Sequence, residues 1–142
     1  MKSKLLLILF ALLLNSCRFQ ELFYPVLYNS EKKICKNIVY DIMTMDKYDS
    51  IYTKYKNVNL GVLRELTLDT WFTREFAKKK IRYKRHFEIN EVIISKNSDE
   101  SVFINIQLRD ENNHKILSIL FRLETSNILK LMSISWPASN LN

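Results

Sequence analysis

The chain has 142 residues, of which 47% are hydrophobic and 26% charged, so it can bury a core and is not disordered by composition. One glycine and two prolines exclude collagen-like, glycine-rich and proline-rich proteins, and two cysteines exclude a disulfide-dense scaffold and a four-cysteine zinc site. Twenty-two basic residues against fifteen acidic ones give a formal charge of +7.

Residues 1–16 have the pattern of a secretory signal peptide. Lys2 and Lys4 form a basic start, and an uninterrupted apolar run follows over residues 5–14. This run is too short to span a bilayer, which takes about 20 residues. We therefore expect the protein to be exported and the segment to be removed.

The end of the signal, Leu14-Asn15-Ser16-Cys17, resembles a bacterial lipobox, in which cleavage precedes a cysteine that carries lipid on its sulfur. The resemblance implies that Cys17 is lipidated and that the mature chain sits on a membrane without spanning it. Arg18 follows the cysteine, so the aspartate that marks inner-membrane retention in many lipoproteins is absent. This favours the outer membrane or the cell surface within the cell envelope.

Residues 17–29 form the tether, and they are unusually apolar and aromatic for such a segment. Leaving these side chains in water is costly. The tether therefore packs on its own domain, lies in the membrane interface, where aromatic residues are favoured, or docks a partner.

Apolar residues at helical spacing predict three helices. The first begins at Ser30 as its N-cap, the second follows Asp46, and the third is continuous from Leu60 to about Lys79 after Asn59 as its cap. The residues expected on their buried faces are Ile34, Ile38, Ile42 and Met45; then Tyr48, Ile51, Tyr52 and Tyr55; then Leu63, Leu66, Thr70, Thr73 and Ala77, widened by Trp71, Phe72 and Phe76. The tyrosines are interpreted as core and rim. Cys35, at helical spacing with Ile38, is expected to be a small buried hydrophobe.

From Ile81 to Trp136 the apolar residues alternate with period two, which predicts about four antiparallel strands joined by hairpins. The first strand covers residues 81–95 and has a bulge before Val92. The predicted turns lie at 97–100, 110–114 and 126–127. Pro137 ends the last strand.

Residues 30–137 are therefore predicted to form a single α+β domain, with helices packed on one face of a meander sheet and a short tail at 138–142. This order resembles the cystatin-like/NTF2-like fold, found in small bacterial lipoproteins of unknown function. Residues 46–52 resemble the family's junction between its first two helices, and Ile134-Ser135-Trp136 resembles the end of its long C-terminal strands. The resemblance implies a curved sheet around a conical cavity, which holds an Asp–His or Tyr–Asp pair in the enzymes of the fold.

No catalytic or metal-binding motif stands out. His86 and His114 lack metal-ligand spacing, and Gly61, as the only glycine, excludes a glycine-rich phosphate loop. An acid–base pair would have to join a tyrosine or histidine to a helical carboxylate. The candidate carboxylates are Asp41, Asp46, Asp49, Asp69 and Glu75. We expect no enzyme, no metal and no cofactor.

The densest feature is a basic stripe in which six of eight residues are basic. Its members are Lys78, Lys79, Lys80, Arg82, Lys84 and Arg85. On a strand, Lys80, Arg82 and Lys84 would share one face, and such a row attracts anionic polymers or lipid headgroups. For an exported protein, a sulfated glycan or an anionic bilayer fits better than nucleic acid. The stripe can also be a solvated strand edge, where lysine discourages aggregation.

These features predict a membrane-anchored lipoprotein that acts as a non-catalytic binding or surface-presentation module. Two alternatives remain open. The protein can be a structural or assembly subunit of a cell-envelope complex, which the apolar tether favours as a docking arm, or a carrier that holds a small ligand in an NTF2-like cavity.

Overall fold

The computed structural model describes residues 27–83 and 87–137. In these residues four helices precede four strands, which confirms the predicted α+β order. The helices are α1 (Asn29–Thr44), α2 (Tyr48–Lys54), α3 (Gly61–Leu68) and α4 (Thr70–Tyr83), and the strands are β1 (Glu88–Lys96), β2 (Val102–Arg109), β3 (Lys115–Leu123) and β4 (Leu129–Ser135). The predicted signal peptide, Cys17, most of the tether and the tail lie outside the described residues.

The strands form an antiparallel meander in the order β1-β2-β3-β4. Its three turns share one construction. In the first, the Asn97 N–H donates to the Ser101 carbonyl at 2.8 Å and the Glu100 N–H donates to the Asn97 carbonyl at 3.1 Å, and the turns at 110–114 and 124–128 repeat this pattern. The fourth residue of each turn has a left-handed backbone: Glu100, Asn113 and Asn127, with φ of 64°, 65° and 62°. The predicted turn positions are confirmed.

The core lies between the helices and one face of the sheet. Along β2, buried residues alternate with half-exposed ones, as a strand with one covered face requires. Cys35 is fully buried, as predicted. The buried face of α1 differs in part from the predicted one. Ile34, which the helical spacing predicts to be buried, is 39% exposed, whereas Val39 and Met43 are buried as well as Ile38 and Ile42. A register shift between Ile89 and Glu91 confirms the predicted bulge.

The predicted continuous helix over residues 60–79 is wrong, because α3 ends at Leu68 and α4 begins at Thr70. Asp69 lies between them, and its Oδ1 accepts a hydrogen bond from the Phe72 N–H at 2.8 Å. This bond caps α4 and satisfies one of the N–H groups that a helix start leaves unpaired.

The predicted strand start at Ile81 is also wrong, because α4 continues to Tyr83. Phe72, Phe76 and Lys80 are buried at a spacing of four, so the inner face of the helix extends past the lysine run. The Lys80 ammonium donates to the Met45 carbonyl at the end of α1, which fixes the last turns of α4. The described part of the basic stripe is therefore helical.

Among the described residues, no helix combines the length and the apolar character needed to cross a bilayer.

Candidate functional site

The helical geometry of α4 separates the members of the basic stripe. Lys80 points inward and is 9% exposed. Its ammonium lies 4.8 Å from the centre of the Tyr48 ring, besides its bond to the Met45 carbonyl. Burial, and then the charge of ionised Tyr52, raises the pKa of Tyr48 to about 12. Lys80 is therefore part of the packing and does not belong to a charged surface.

The outer face of α4 is basic, and its exposed cations, Arg74, Lys78 and Arg82, are called the basic face. Glu75 is the single acidic residue of α4. Its Oε1 accepts a hydrogen bond from the Lys78 ammonium at 2.9 Å and lies 3.5 Å from Arg74 Nε, and the Lys78 bond is the main cause of its lowered pKa. One carboxylate thus serves two cations, and the face retains net positive charge. Lys84 and Arg85 lie outside the described residues.

An open groove of about 340 Å³ lies between α4 and one end of the sheet. This volume falls within the range of roughly 300–1,000 Å³ typical of small-molecule sites. The groove, called here the tryptophan groove, is lined by Trp71, Glu75, Lys79 and Tyr83 from α4 and by Lys115, Ile116, Trp136 and Pro137 from the start of β3 and the residues after β4. The helix residues are spaced by four, so they form one stripe along α4.

The two tryptophans of the chain are neighbours in this groove, with ring centres 5.9 Å apart. Trp136 packs against two aromatic residues of the core, since its ring centre lies 5.3 Å from that of Phe72 and 6.3 Å from that of Phe76. Trp71 is 57% exposed. The groove therefore has one ring fixed by the core and one ring that faces solvent.

Charged groups occupy both walls of the tryptophan groove. The Lys79 ammonium lies 5.5 Å from the centre of the Trp136 ring, close enough for a cation–π contact. Lys115, on the opposite wall, is exposed. With Glu75 as the one lining carboxylate, the walls carry two ammonium groups against one acid.

Asp41 forms a closed cluster with Tyr55 and Lys54, which includes one of the candidate carboxylates. The Tyr55 hydroxyl donates to Asp41 Oδ2 at 2.6 Å, and the Lys54 ammonium donates to the same oxygen at 2.7 Å. Asp41 is 6% exposed. The bond to Asp41 is the main cause of the raised pKa of Lys54, whereas burial is the main cause of the raised pKa of Tyr55. The cluster joins α1 to α2, and its polar groups are used within the fold.

The other candidate carboxylates are placed differently. Asp69 caps α4, and Asp46 and Asp49 are exposed. His114 lies in the exposed turn before β3, with Nδ1 3.4 Å from an Asp110 oxygen, whereas His86 lies outside the described residues. In the described ranges, no group of histidine, cysteine and acidic residues could hold a metal ion.

A second open pocket, of about 360 Å³, lies at the start of α3. The Arg64 guanidinium lies 4.9 Å from the centre of the Tyr52 ring there, and Lys56 is also in the wall. The N–H of Gly61, the first residue of α3, already donates to Asn59 Oδ1 at 3.0 Å. The N-cap of α3 is Leu60, one residue after the predicted Asn59, and it makes no side-chain cap bond. The Asn59 side chain instead occupies the Gly61 N–H, which leaves fewer donors for a ligand.

Two neighbouring residues at the described end of the tether differ in their exposure to solvent. Tyr28 packs against the core and lines a shallow depression with Val102 and Leu123. Leu27 is 66% exposed. Packing on the domain is therefore observed at Tyr28, and the remaining tether residues lie outside the described part.

Comparisons of this chain with family models, with curated proteins and with solved structures give no match. The tryptophan groove is not predicted from the sequence, because the periodicity places Trp71 on a helix face and Trp136 at a strand end. The one available signal is composition, since tryptophan joins a large apolar ring to a polar N–H and is enriched at interfaces.

Proposed function

We propose that this chain is a lipid-anchored protein of the bacterial cell envelope whose domain binds an anionic partner without catalysing a reaction. The observation that carries the binding proposal is the excess of exposed cations on α4, where Arg74, Lys78 and Arg82 face solvent around a single acid, Glu75. A cluster of one sign raises the local concentration of oppositely charged partners.

The anchor is proposed from the sequence pattern that ends at Cys17, which also supports export. Replacing Cys17 with serine is expected to remove the protein from the detergent phase of a Triton X-114 partition. Replacing Cys35, the other cysteine, with alanine serves as the matched control and should leave partitioning unchanged. Partitioning that survives the Cys17→Ser change would refute the anchor.

We also propose that the protein lies in the outer membrane or at the cell surface, since Arg18 follows the cysteine. Protease treatment of intact cells, followed by blotting, should then remove the protein. Protection until the envelope is opened would instead favour a site inside the envelope.

The finer fold assignment, a curved NTF2-like or cystatin-like sheet with a cavity, is part of the proposal. The order of helices before a four-stranded meander supports it. Each strand pair also contains a register shift, and such irregularities bend strands.

A non-catalytic role is supported by how two of the candidate carboxylates are used. Asp41 is held by Tyr55 and Lys54, and Asp69 caps α4. Groups that already have such partners serve the fold, whereas a general base needs access to the substrate proton.

The binding proposal is tested by removing charge from the basic face. The Lys78→Ser/Arg82→Ser variant is compared with Lys33→Ser/Lys47→Ser, which removes the same charge from exposed positions elsewhere. On a dextran sulfate column, the basic-face variant should elute at clearly lower salt than the wild type, because exposed charge pairs are screened as ionic strength rises. Equal shifts for both variants would mean that net charge alone governs retention and would refute the basic face as the site.

A second candidate function, an assembly subunit of an envelope complex, is favoured by the exposed Leu27 at the described end of the tether. A stoichiometric partner that co-purifies with the full chain and is lost on Leu27→Ser would support it. The exposed Leu68 is the matched control position.

A further inference from the structure

The tryptophan groove combines three kinds of group that suit one class of ligand. The faces of Trp71 and Trp136 carry the negative side of the ring quadrupole, which attracts the C–H groups on the flat side of a sugar ring. Lys79 and Lys115 supply ammonium groups for a carboxylate or sulfate. The Glu75 carboxylate, whose Oε1 is bound by Lys78, retains a second oxygen that can accept from a hydroxyl. We infer that the groove binds acidic sugar residues of a polysaccharide. The inference rests on the proposed anionic partner and names its class and its site.

The shape of the groove favours a segment of polymer. The lining residues of α4 run from Trp71 to Tyr83 at a spacing of four, which corresponds to about 18 Å along the helix axis. Because the groove follows the helix and is open to solvent, a chain of sugar rings can enter from the side. Tyr83 provides a third aromatic ring at the far end of this path.

The floor of the groove is organised before any ligand arrives. Trp136 stacks on Phe76 with an interplanar angle of 14°, and Phe76 is itself buried in the core. A ring that is already fixed loses little side-chain entropy on binding, which leaves more of the contact energy as affinity. Trp71 is the exposed ring against which a ligand closes.

The position of the groove favours a polymer over the membrane surface. The chain enters the described domain at Tyr28, beside Val102 and Leu123, where β2 begins and β3 ends. The groove contains Lys115, at the other end of β3, about 26 Å away at the usual rise per residue. The groove thus lies at the end of β3 opposite the end at which the described part of the chain begins.

Tryptophan fluorescence tests the inference directly, because both tryptophans of the chain line the groove. The mature full chain in detergent is titrated with a polygalacturonate tetrasaccharide and, separately, with a neutral cellotetraose. We expect a saturable change in emission with the acidic oligosaccharide and at least fivefold weaker binding of the neutral one. Equal binding of the two would overturn the assignment of an acidic ligand, and no change with either would overturn the site.

Variants locate the binding in the groove, with affinities measured by calorimetry so that loss of a tryptophan does not remove the signal. Trp71→Ala should weaken binding of the acidic tetrasaccharide by roughly tenfold. Tyr40→Ala is the matched control, since Tyr40 is also an aromatic residue with 57% exposure but lies on α1. Lys115→Gln should weaken the acidic oligosaccharide and leave any weak neutral binding unchanged. Unaltered affinity in Trp71→Ala and Lys115→Gln would refute the inference.

The outcomes separate this inference from the proposed function. Salt-sensitive retention on dextran sulfate that depends on Lys78 and Arg82, together with no response to the tetrasaccharide, would refute the groove ligand and leave the basic face standing. If neither the retention that depends on Lys78 and Arg82 nor the response to the tetrasaccharide is observed, the basic face and the groove ligand are both refuted. A change in tryptophan emission with phosphatidylglycerol vesicles but not with the tetrasaccharide would replace the glycan with a lipid surface as the occupant.

Discussion

The Asp41 cluster and the tryptophan groove contain similar groups but use them in opposite ways. Each combines an aromatic ring, a lysine and a carboxylate. In the Asp41 cluster, one carboxylate oxygen accepts hydrogen bonds from both Tyr55 and Lys54, and Asp41 is almost fully buried. In the groove, the charged groups stand on two walls of an open space, and Trp71 is more exposed than buried.

This contrast indicates which polar groups hold the fold and which are available to a ligand. A buried carboxylate that loses its partners is costly, so such a cluster is a structural element. Exposed charges contribute little to stability and can be committed to binding. Neighbouring residues on α4 show the same division, since Lys80 lies in the packing and Lys79 lines the groove.

Among the polar side chains, the largest effect on stability is expected at the Asp41 cluster. Asp41→Ala should lower the free energy of unfolding by about 2 kcal/mol, because it leaves the Tyr55 hydroxyl without its acceptor and removes a charge-assisted bond. Asp49→Ala, which removes an exposed carboxylate of α2, is the control and should change little. Urea unfolding followed by circular dichroism measures both. Similar losses for the two variants would contradict a structural role that is specific to the cluster.

The neighbouring residues Lys79 and Lys80 test the same contrast between groups that hold the fold and groups that are open to a ligand. Lys80→Met keeps an unbranched side chain that is one atom shorter, and it deprives the Met45 carbonyl of its donor. A loss of about 1–2 kcal/mol in unfolding free energy is therefore expected. Lys79→Met should lie within about 0.5 kcal/mol of the wild type. Thermal unfolding of both variants is the measurement, and a larger loss for Lys79→Met would reverse the assignment of inner and outer faces.

The stability of the protein at alkaline pH tests the burial of Tyr48. Its pKa is raised from 10.0 to about 12, so the unfolded chain loses the phenolic proton first as the pH rises between these values. Stability present below pH 10 is therefore lost towards pH 12, by roughly 1 kcal/mol after allowance for solvent screening. Tyr48→Phe should show a flatter decline when urea midpoints are compared across this range. Parallel declines would mean that Tyr48 does not contribute.

A small effect on stability is expected for the exposed tryptophan of the open groove. Trp71→Ala should change the free energy of unfolding by less than about 1 kcal/mol, because more than half of the side chain is already in water. Phe76→Ala, in the adjacent core, should cost about 3–5 kcal/mol. Chemical denaturation of both variants compares them, and equal losses would place Trp71 in the core.

The features that sequence predicted are those governed by neighbours along the chain. The hairpin turns, the bulge before Val92 and the burial of Cys35 follow from local turn residues and from the spacing of apolar positions. The last turns of α4 include a contact between Lys80 and Met45, which are distant in sequence, and the periodicity of residues 81–95 does not show such a contact. The groove forms because Trp71 and Trp136, which are separated in sequence by all four strands, lie next to each other in the fold. The spacing of apolar residues along the chain does not predict such a contact.

The repeated hairpin turn has a consequence for how quickly the sheet forms. Every strand pairs with its successor, and the most widely separated partners in these pairs are Glu88 with Arg109 and Val102 with Leu123. Short loops have a small entropy of closure, and chains rich in local contacts refold faster than those built on distant pairings. The C-terminal half of the domain is therefore expected to assemble hairpin by hairpin, with rates set by three similar turns.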